Sequence, residues 1–292
     1  MGPILISLAT LGVLSLLGMG AVALAFSRLQ RLPENAPHAF LSRAQGSHRP
    51  VLVCVGDSIT HGRASANYVD LVHASVGATF DVVNAGINGQ LAWNLLGRLD
   101  AIIACRPALV TVLIGTNDAA AALSEQAGRR YMRDMKLPRL PDREGYRDAL
   151  HAVVQRLKTE TTASVALVTL PIMGVRRDEP AWSQAASYSE LVRELARTEG
   201  VAVLDLHAAM VARLGAFDGA ASPPFSSMLS VMFRAILRRT LLGSEFTRIG
   251  HANGFRLLAD HLHLDEEGAA LVCGLIVPWV ERAGRELLPP TG

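Results

Sequence analysis

Five short apolar runs recur along the chain, at residues 51–55, 80–83, 108–114, 164–170 and 201–206. Each is bounded by turn-forming residues and is shorter than an ordinary helix, so each reads as a buried strand. Between them lie stretches with helical apolar spacing, among them 146–159 and 182–198. Strands that alternate with helices predict a parallel sheet covered on both faces. A chain of 292 residues is long enough for one such α/β domain with a sizeable core plus extras. In open parallel sheets the sites lie at the carboxyl ends of the strands. The residues that follow each run are therefore the ones that can carry chemistry.

Gly56-Asp57-Ser58-Ile59-Thr60 follows the first run. A serine at the mouth of a parallel strand can be exposed as a nucleophile. Gly, Asp and Ser are also ordinary turn residues, and Ser58 alone reads equally well as a helix N-cap. Three more blocks follow in order: Asn84-Ala85-Gly86-Ile87-Asn88-Gly89 after the second run, Gly115-Thr116-Asn117-Asp118 after the third, and Asp260-His261-Leu262-His263 ahead of a C-terminal helix. Glycines in the second block let backbone N–H groups approach a ligand closely. An Asp three residues ahead of a His can orient that imidazole and stabilise its charge.

With these four blocks the sequence resembles the SGNH hydrolases, the GDSL-type serine esterases and lipases. The resemblance covers roughly residues 50 to 283. It implies a three-layer α/β/α flavodoxin-like fold with a parallel sheet, and hydrolysis of carboxylic esters through an acyl-enzyme. It makes Ser58 the nucleophile, His263 the base and Asp260 its partner. The oxyanion donors would be the Ser58 N–H, the Gly89 N–H and the Asn117 side-chain amide. Asp57 is expected to brace the turn, Gly86 to be a turn glycine, and Asn84 and Asp118 to be structural supports. His261 competes for the role of base, but the Asp-x-x-His spacing selects His263. His61 either lines the pocket or caps a helix.

No metal or organic cofactor is called for. Asp57, His61, Asn117, Asp118, Asp260 and His263 include the ligand types of a two-metal phosphoesterase. That reading lacks an Asp-x-His pair after the first strand and a Gly-Asn-His triplet. Two alternatives share the blocks: an acyltransferase with the same triad, and a catalytically silent, membrane-tethered binding module. Completeness of all four blocks opposes the second.

Residues 3–26 contain no charged side chain and are long enough to span a bilayer. Ala23-Leu24-Ala25 resembles a signal-cleavage site, yet the stretch is longer than a usual signal core and no Lys or Arg precedes it. The expectation is an uncleaved, single-pass cell-membrane anchor over 1–27, a polar linker over 28–49 and a hydrolase domain over 50–285. Arg28 and Arg31 favour a cytoplasmic domain by the positive-inside bias, whereas family members with an export segment more often act outside. The side stays open.

Two stretches exceed a minimal fold. Residues 128–147 hold Arg129, Arg130, Arg133, Lys136, Arg139 and Arg143; they read as a solvated charged loop, with attraction of anionic substrates as the alternative. Residues 223–254 present a broad apolar surface at helical spacing, with Ser227, Ser230, Arg234 and Arg238 as a polar stripe. They form a cap over the acyl pocket, an interfacial membrane contact or a core helix. The expected partners are an ester substrate, with lipids among the candidates, and the membrane. Lys+Arg 28 against Asp+Glu 26, with 5% aromatic residues, argues against nucleic acid. Cys54, Cys105 and Cys273 are an odd set in apolar contexts and do not form a disulfide framework. Nothing in the sequence sets the oligomeric state.

Overall fold

The computed structural model describes residues 20, 22–25, 27–43 and 48–287. The five apolar runs form one sheet of strands β1 (Val51–Gly56), β2 (Asp81–Gly86), β3 (Leu109–Leu113), β4 (Ser164–Val168) and β5 (Ala202–Leu204). Their order is β2-β1-β3-β4-β5 and every pairing is parallel. This is the doubly wound, flavodoxin-like order.

Side chains alternate across a strand, and β1 shows what that does to the core. Val51, Val53 and Val55 enter one apolar cluster with the helices Arg143–Glu160 and Pro180–Glu199. Leu52 and Cys54 enter another with the helices Tyr68–Val76, Leu206–Leu214 and Glu266–Leu287. Both faces of the sheet are therefore covered, as buried parallel strands require. Burial pushes the Cys54 thiol up to about 12, so it acts as a small apolar side chain. The three cysteines are unpaired.

The direction in which strands are added to the sheet reverses at β1, since β2 adds on one side of it and β3 on the other. Such a switch point opens a crevice at the carboxyl ends of the strands. Ser58, Gly89 and Asn117 all leave strands at that edge.

Gly86 differs from expectation. It is the last residue of β2, paired with Gly56, not a turn glycine. A Cβ there would sit 2.1 Å from the His61 backbone nitrogen. The residue is small so that the helix carrying Ser58 can lie across the strand end.

The stretch expected as a polar linker is docked along the part described. Asn35 pairs with the edge of β2, giving its Nδ2–H to the Val82 carbonyl and accepting the Asn84 N–H. The Leu29 carbonyl accepts the Asn88 side-chain amide at 2.8 Å. Among the described residues no helix is long and apolar enough to cross a membrane. Most of the segment expected to be an anchor lies outside the described residues.

Residues 128–147 are mostly helical: the helix Glu125–Asp134 is followed by a short loop and the start of Arg143–Glu160. Arg129, Arg133 and Arg139 each face a carboxylate, from Glu125, Asp134 and Asp142. These exposed pairs hold little stability and leave the stretch solvated. In the 223–254 stretch, the helix Met228–Leu242 buries Met228, Val231, Ala235 and Ile236 against the domain. Met232 and Leu237 are half-buried, and Leu229, Leu241 and Leu242 are exposed.

Candidate active site

Ser58 opens a single helical turn, Ser58–His61, directly after β1. Asp57 caps that turn, its Oδ1 accepting the Ile59 N–H at 3.0 Å. The cap accounts for the abrupt change from strand to helix. It leaves the Ser58 N–H at a helix start, where backbone donors have no intrahelical partner.

Across the crevice, Asp260-His261-Leu262-His263 forms a compact loop. Asp260 Oδ1 accepts the N–H groups of Leu262 and His263 at 2.8 and 2.9 Å. Its other oxygen, Oδ2, lies 2.9 Å from His263 Nδ1. His263 Nε2 lies 2.9 Å from Ser58 Oγ. Residues 205 apart in sequence thus form one hydrogen-bonded chain, Ser58–His263–Asp260, buried along its length. Ser65 clips the loop in place: its hydroxyl accepts the Leu264 N–H at 3.0 Å and donates to the Leu264 carbonyl. The Ala66 N–H bonds the same carbonyl.

His261 points away from this chain. Its ring sits edge-on between Phe225 and Phe255, at 5.2 and 4.9 Å between centroids. Burial lowers its pKa to about 4. His61 is buried at the end of the nucleophile turn, and burial holds it near 4 as well. Both are neutral at ordinary pH and outside the hydrogen-bonded chain.

Gly89 has φ +75°, a left-handed conformation that glycine adopts without strain. A Cβ there would meet the Met135 methyl at 2.7 Å. Asn117 lies in the helix Thr116–Ala121, one residue past its start. Its Oδ1 accepts the Tyr131 hydroxyl at 3.0 Å, which fixes the amide's orientation. Its Nδ2 donates to the Gln90 carbonyl at 3.0 Å and reaches Asp57 Oδ2 at 3.3 Å. The second bond is longer than the usual N–H···O distance. Among the described residues no three His, Cys, Asp or Glu side chains converge as a metal site.

The model of the GDSL-like lipase/acylhydrolase family matches residues 54–271. The chain belongs to this family. As a member it is a carboxylic ester hydrolase. None of the curated proteins compared with it matches. Among solved structures, it is similar to a variant of Axe2, an acetyl-xylooligosaccharide esterase from Geobacillus stearothermophilus, at 20% identity and a TM-score of 0.58, over 82% of this chain and 95% of that one. The lipase/acylhydrolase from Enterococcus faecalis is 23% identical, with a TM-score of 0.53, over 83% and 99%. The acetyl xylan esterase AlAXEase is 19% identical, with a TM-score of 0.53, over 78% and 98%. At these identities the likeness is one of fold.

The acylhydrolase has an electrostatic arrangement suited to proton transfer. Burial lowers the His263 pKa, but the Asp260 carboxylate and its hydrogen bond raise it more, and Asp57 adds to this. The net direction is upward. For Asp260, burial raises the pKa while the His263 charge and three hydrogen bonds lower it further, so it stays ionised. Asp57 is pushed up to about 6 by burial.

Three residues of this site carry no signal in the four blocks. Arg98 gives its Nη2–H to the carbonyls of Gly56 and Ala85, at 3.0 and 2.9 Å, and its Nε–H to the Gln90 side chain at 2.6 Å. It ties the ends of β1 and β2 to the residue whose carbonyl holds Asn117. Tyr131 orients Asn117, and Met135 covers Gly89. Both belong to the basic stretch, which thus serves the site through an apolar and a hydroxyl side chain rather than through its charge.

Asp118 shows how burial shapes stability. It accepts the Ala92 N–H at 3.2 Å, yet burial raises its pKa from 3.8 to about 7. Between those values the unfolded chain has released the proton and the folded chain still holds it, so this group's contribution to stability falls as pH rises through the window. Asp118→Asn should remove that loss. Its melting temperature, compared with wild type from pH 4 to 8, should gain progressively with pH, by roughly 2–4 °C for each kcal/mol relieved. A difference that stays constant with pH would show that Asp118 does not hold its proton in the fold.

Proposed function

We propose that this acylhydrolase is a serine esterase acting through a Ser58 acyl-enzyme. The continuous Ser58–His263–Asp260 chain, with both links at 2.9 Å, carries the reading. With its Nδ1–H held by Asp260, His263 keeps a lone pair at Nε2. It takes the Ser58 proton as Oγ attacks the ester carbonyl, then gives that proton to the leaving alkoxide. Water repeats the cycle on the acyl-enzyme. The Ser58 N–H, the Gly89 N–H and Asn117 Nδ2 would face the developing oxyanion.

Asn117→Ala should lower kcat by roughly 100- to 1,000-fold, the typical effect of losing one oxyanion donor. KM should change little. Full activity in Asn117→Ala would remove it from the oxyanion hole.

Lipid-like esters and acylated glycans are the substrate classes in view. The uncharged stretch 3–26, long enough to enter a bilayer, favours a lipid-like ester. The acetylated sugars named for Axe2 and AlAXEase favour a small acyl group. Hydrolysis of p-nitrophenyl esters from acetate to palmitate by detergent-solubilised full chain, beside release of acetate from acetylated xylooligosaccharides, decides between them. Absence of turnover on all of them, in folded protein, would favour an acceptor-dependent acyltransferase.

We further propose that the uncharged residues 3–26 hold the chain on the cell membrane. Fractionation of cells, with protease added to intact and opened vesicles, tests the attachment and its side.

A further inference from the structure

The three oxyanion donors belong to three separate strand ends. Ser58 follows β1, Gly89 follows β2 and Asn117 follows β3. The parallel ladder joins those strands only as far as Gly56, which pairs with Gly86 on one side and Leu113 on the other. Past it the segments part, and a backbone bond from the Ile87 N–H to the Gly56 carbonyl at 3.2 Å links the first two. An oxyanion hole needs its donors fixed to within about half an ångström. The sheet alone does not supply that.

One side chain reaches all three segments. Arg98 stands in the bend between two short helices, Ala92–Leu96 and Leu99–Ile103, with Leu95 and Leu99 fully buried on either side of it. Those anchors fix the backbone from which its guanidinium extends. Nη2 bridges the carbonyls of Gly56 and Ala85, at the ends of β1 and β2. The Nε–H goes to the side chain of Gln90, the residue after Gly89. The Gln90 carbonyl in turn takes the Asn117 amide. That amide nitrogen also reaches Asp57, the residue after Gly56, so the path closes on itself.

We propose that Arg98 is the positioning residue of the oxyanion hole, its guanidinium holding the Ser58, Gly89 and Asn117 donors in register with one another. The inference rests on the oxyanion hole proposed above and adds what sets its geometry. Its consequence for the reaction is large, because a misplacement of about 1 Å at a reacting centre can cost roughly 100-fold in rate.

Two features set this role apart from a plain strand brace. The first is charge. All three acceptors are neutral oxygens. Burial lowers the Arg98 pKa to about 10, with the Asp57 charge acting the other way, so the group stays cationic. A charge withdrawn from water with no carboxylate bonded to it costs the fold stability, whereas beside an oxyanion hole it favours the negative charge that develops there. The second is shape. Arginine carries its Nε and Nη donors in one rigid plane, so the Gln90 bond and the strand-end bonds fix each other's direction. A lysine ammonium could meet the carbonyls but has no donor at the Nε position.

The test compares Arg98→Lys and Gln90→Leu in the full-length chain, each alone and combined with Asn117→Ala, by kcat, KM and pH profile on a p-nitrophenyl ester. Arg98→Lys should lower kcat by roughly 10- to 100-fold. KM should hold within about threefold, and the acid limb of the profile should not move, since His263 and Asp260 are untouched. Gln90→Leu keeps both strand-end bonds of Arg98 and the backbone carbonyl that holds Asn117. It should lower kcat by about tenfold and, once Asn117 is already alanine, by no more than about twofold, because residues of one network do not add. Where Arg98→Lys does not fold, this cycle decides alone. Arg98→Lys or Gln90→Leu at full activity, beside an impaired Asn117→Ala, overturns the positioning role and leaves the oxyanion hole standing. Loss by the same factor in Gln90→Leu with and without Asn117 overturns it too, and makes Arg98 a support of the fold. Full activity in Asn117→Ala alone overturns the oxyanion hole and this inference together.

Discussion

Ser58→Ala should leave a folded protein and lower kcat for ester hydrolysis by roughly a million-fold, the scale of removing the nucleophile of a serine hydrolase. The substitution removes one oxygen and one hydrogen bond, that to His263 Nε2. A typical hydrogen bond is worth about 1 kcal/mol, so the melting temperature should move by only a few degrees. The backbone N–H of residue 58 stays in place, as do Gly89 and Asn117. Substrate binding and part of the oxyanion stabilisation should therefore survive, and KM should change far less than kcat. Wild-type enzyme quenched in acid during turnover of a p-nitrophenyl ester should carry the acyl group on the peptide containing Ser58; the variant should carry none. Retention of activity within tenfold of wild type would mean that another group, or water, attacks the ester.

What the sequence discloses and what it conceals follow from the kind of force involved. Strands buried on both faces must be apolar throughout, so β1 and β3 stand out as continuous runs and their order along the chain points to a parallel sheet. Ser58, Asn117 and His263 could be read because each sits in a short block whose neighbours do local work: Asp57 caps the Ser58 turn, and Asp260 binds the backbone of its own loop. Gly86 was expected to serve a turn because a glycine in sequence carries no mark of what approaches it; its smallness answers to the His61 backbone, 25 residues upstream. Arg98, Tyr131 and Met135 were hidden for the same reason. Their partners are Gly56, Asn117 and Gly89, and no periodicity or spacing encodes a contact between separate elements. The docking of Asn35 on β2 was masked by composition, since a Pro- and Asn-containing stretch reads as linker whether or not a sheet edge is at hand.

Asp260→Asn should be nearly as damaging, at about 10,000-fold in kcat, although it preserves shape. The reason lies in how the carboxylate divides its work. Oδ1 accepts two backbone N–H groups, from Leu262 and His263. In the variant that position must remain an oxygen, because an amide NH2 there would face two donors. The NH2 is then forced into the place of Oδ2, opposite His263 Nδ1. Nδ1 must accept a hydrogen bond from it, so the ring proton moves to Nε2. An imidazole protonated at Nε2 has no lone pair for the Ser58 hydroxyl and cannot act as its base. The loss should thus fall on kcat, with folding intact. The pH profile separates this account from a structural one. In the wild type His263 must be neutral to work, and Asp260 raises its pKa above the ordinary histidine value. Activity should therefore fall as pH drops through a midpoint above 6.5. Without the carboxylate the imidazolium loses its largest stabilising charge, and the residual activity should persist to lower pH. An Asp260→Asn enzyme with wild-type kcat, or with an unmoved acid limb, would mean that Asp260 only holds the loop together.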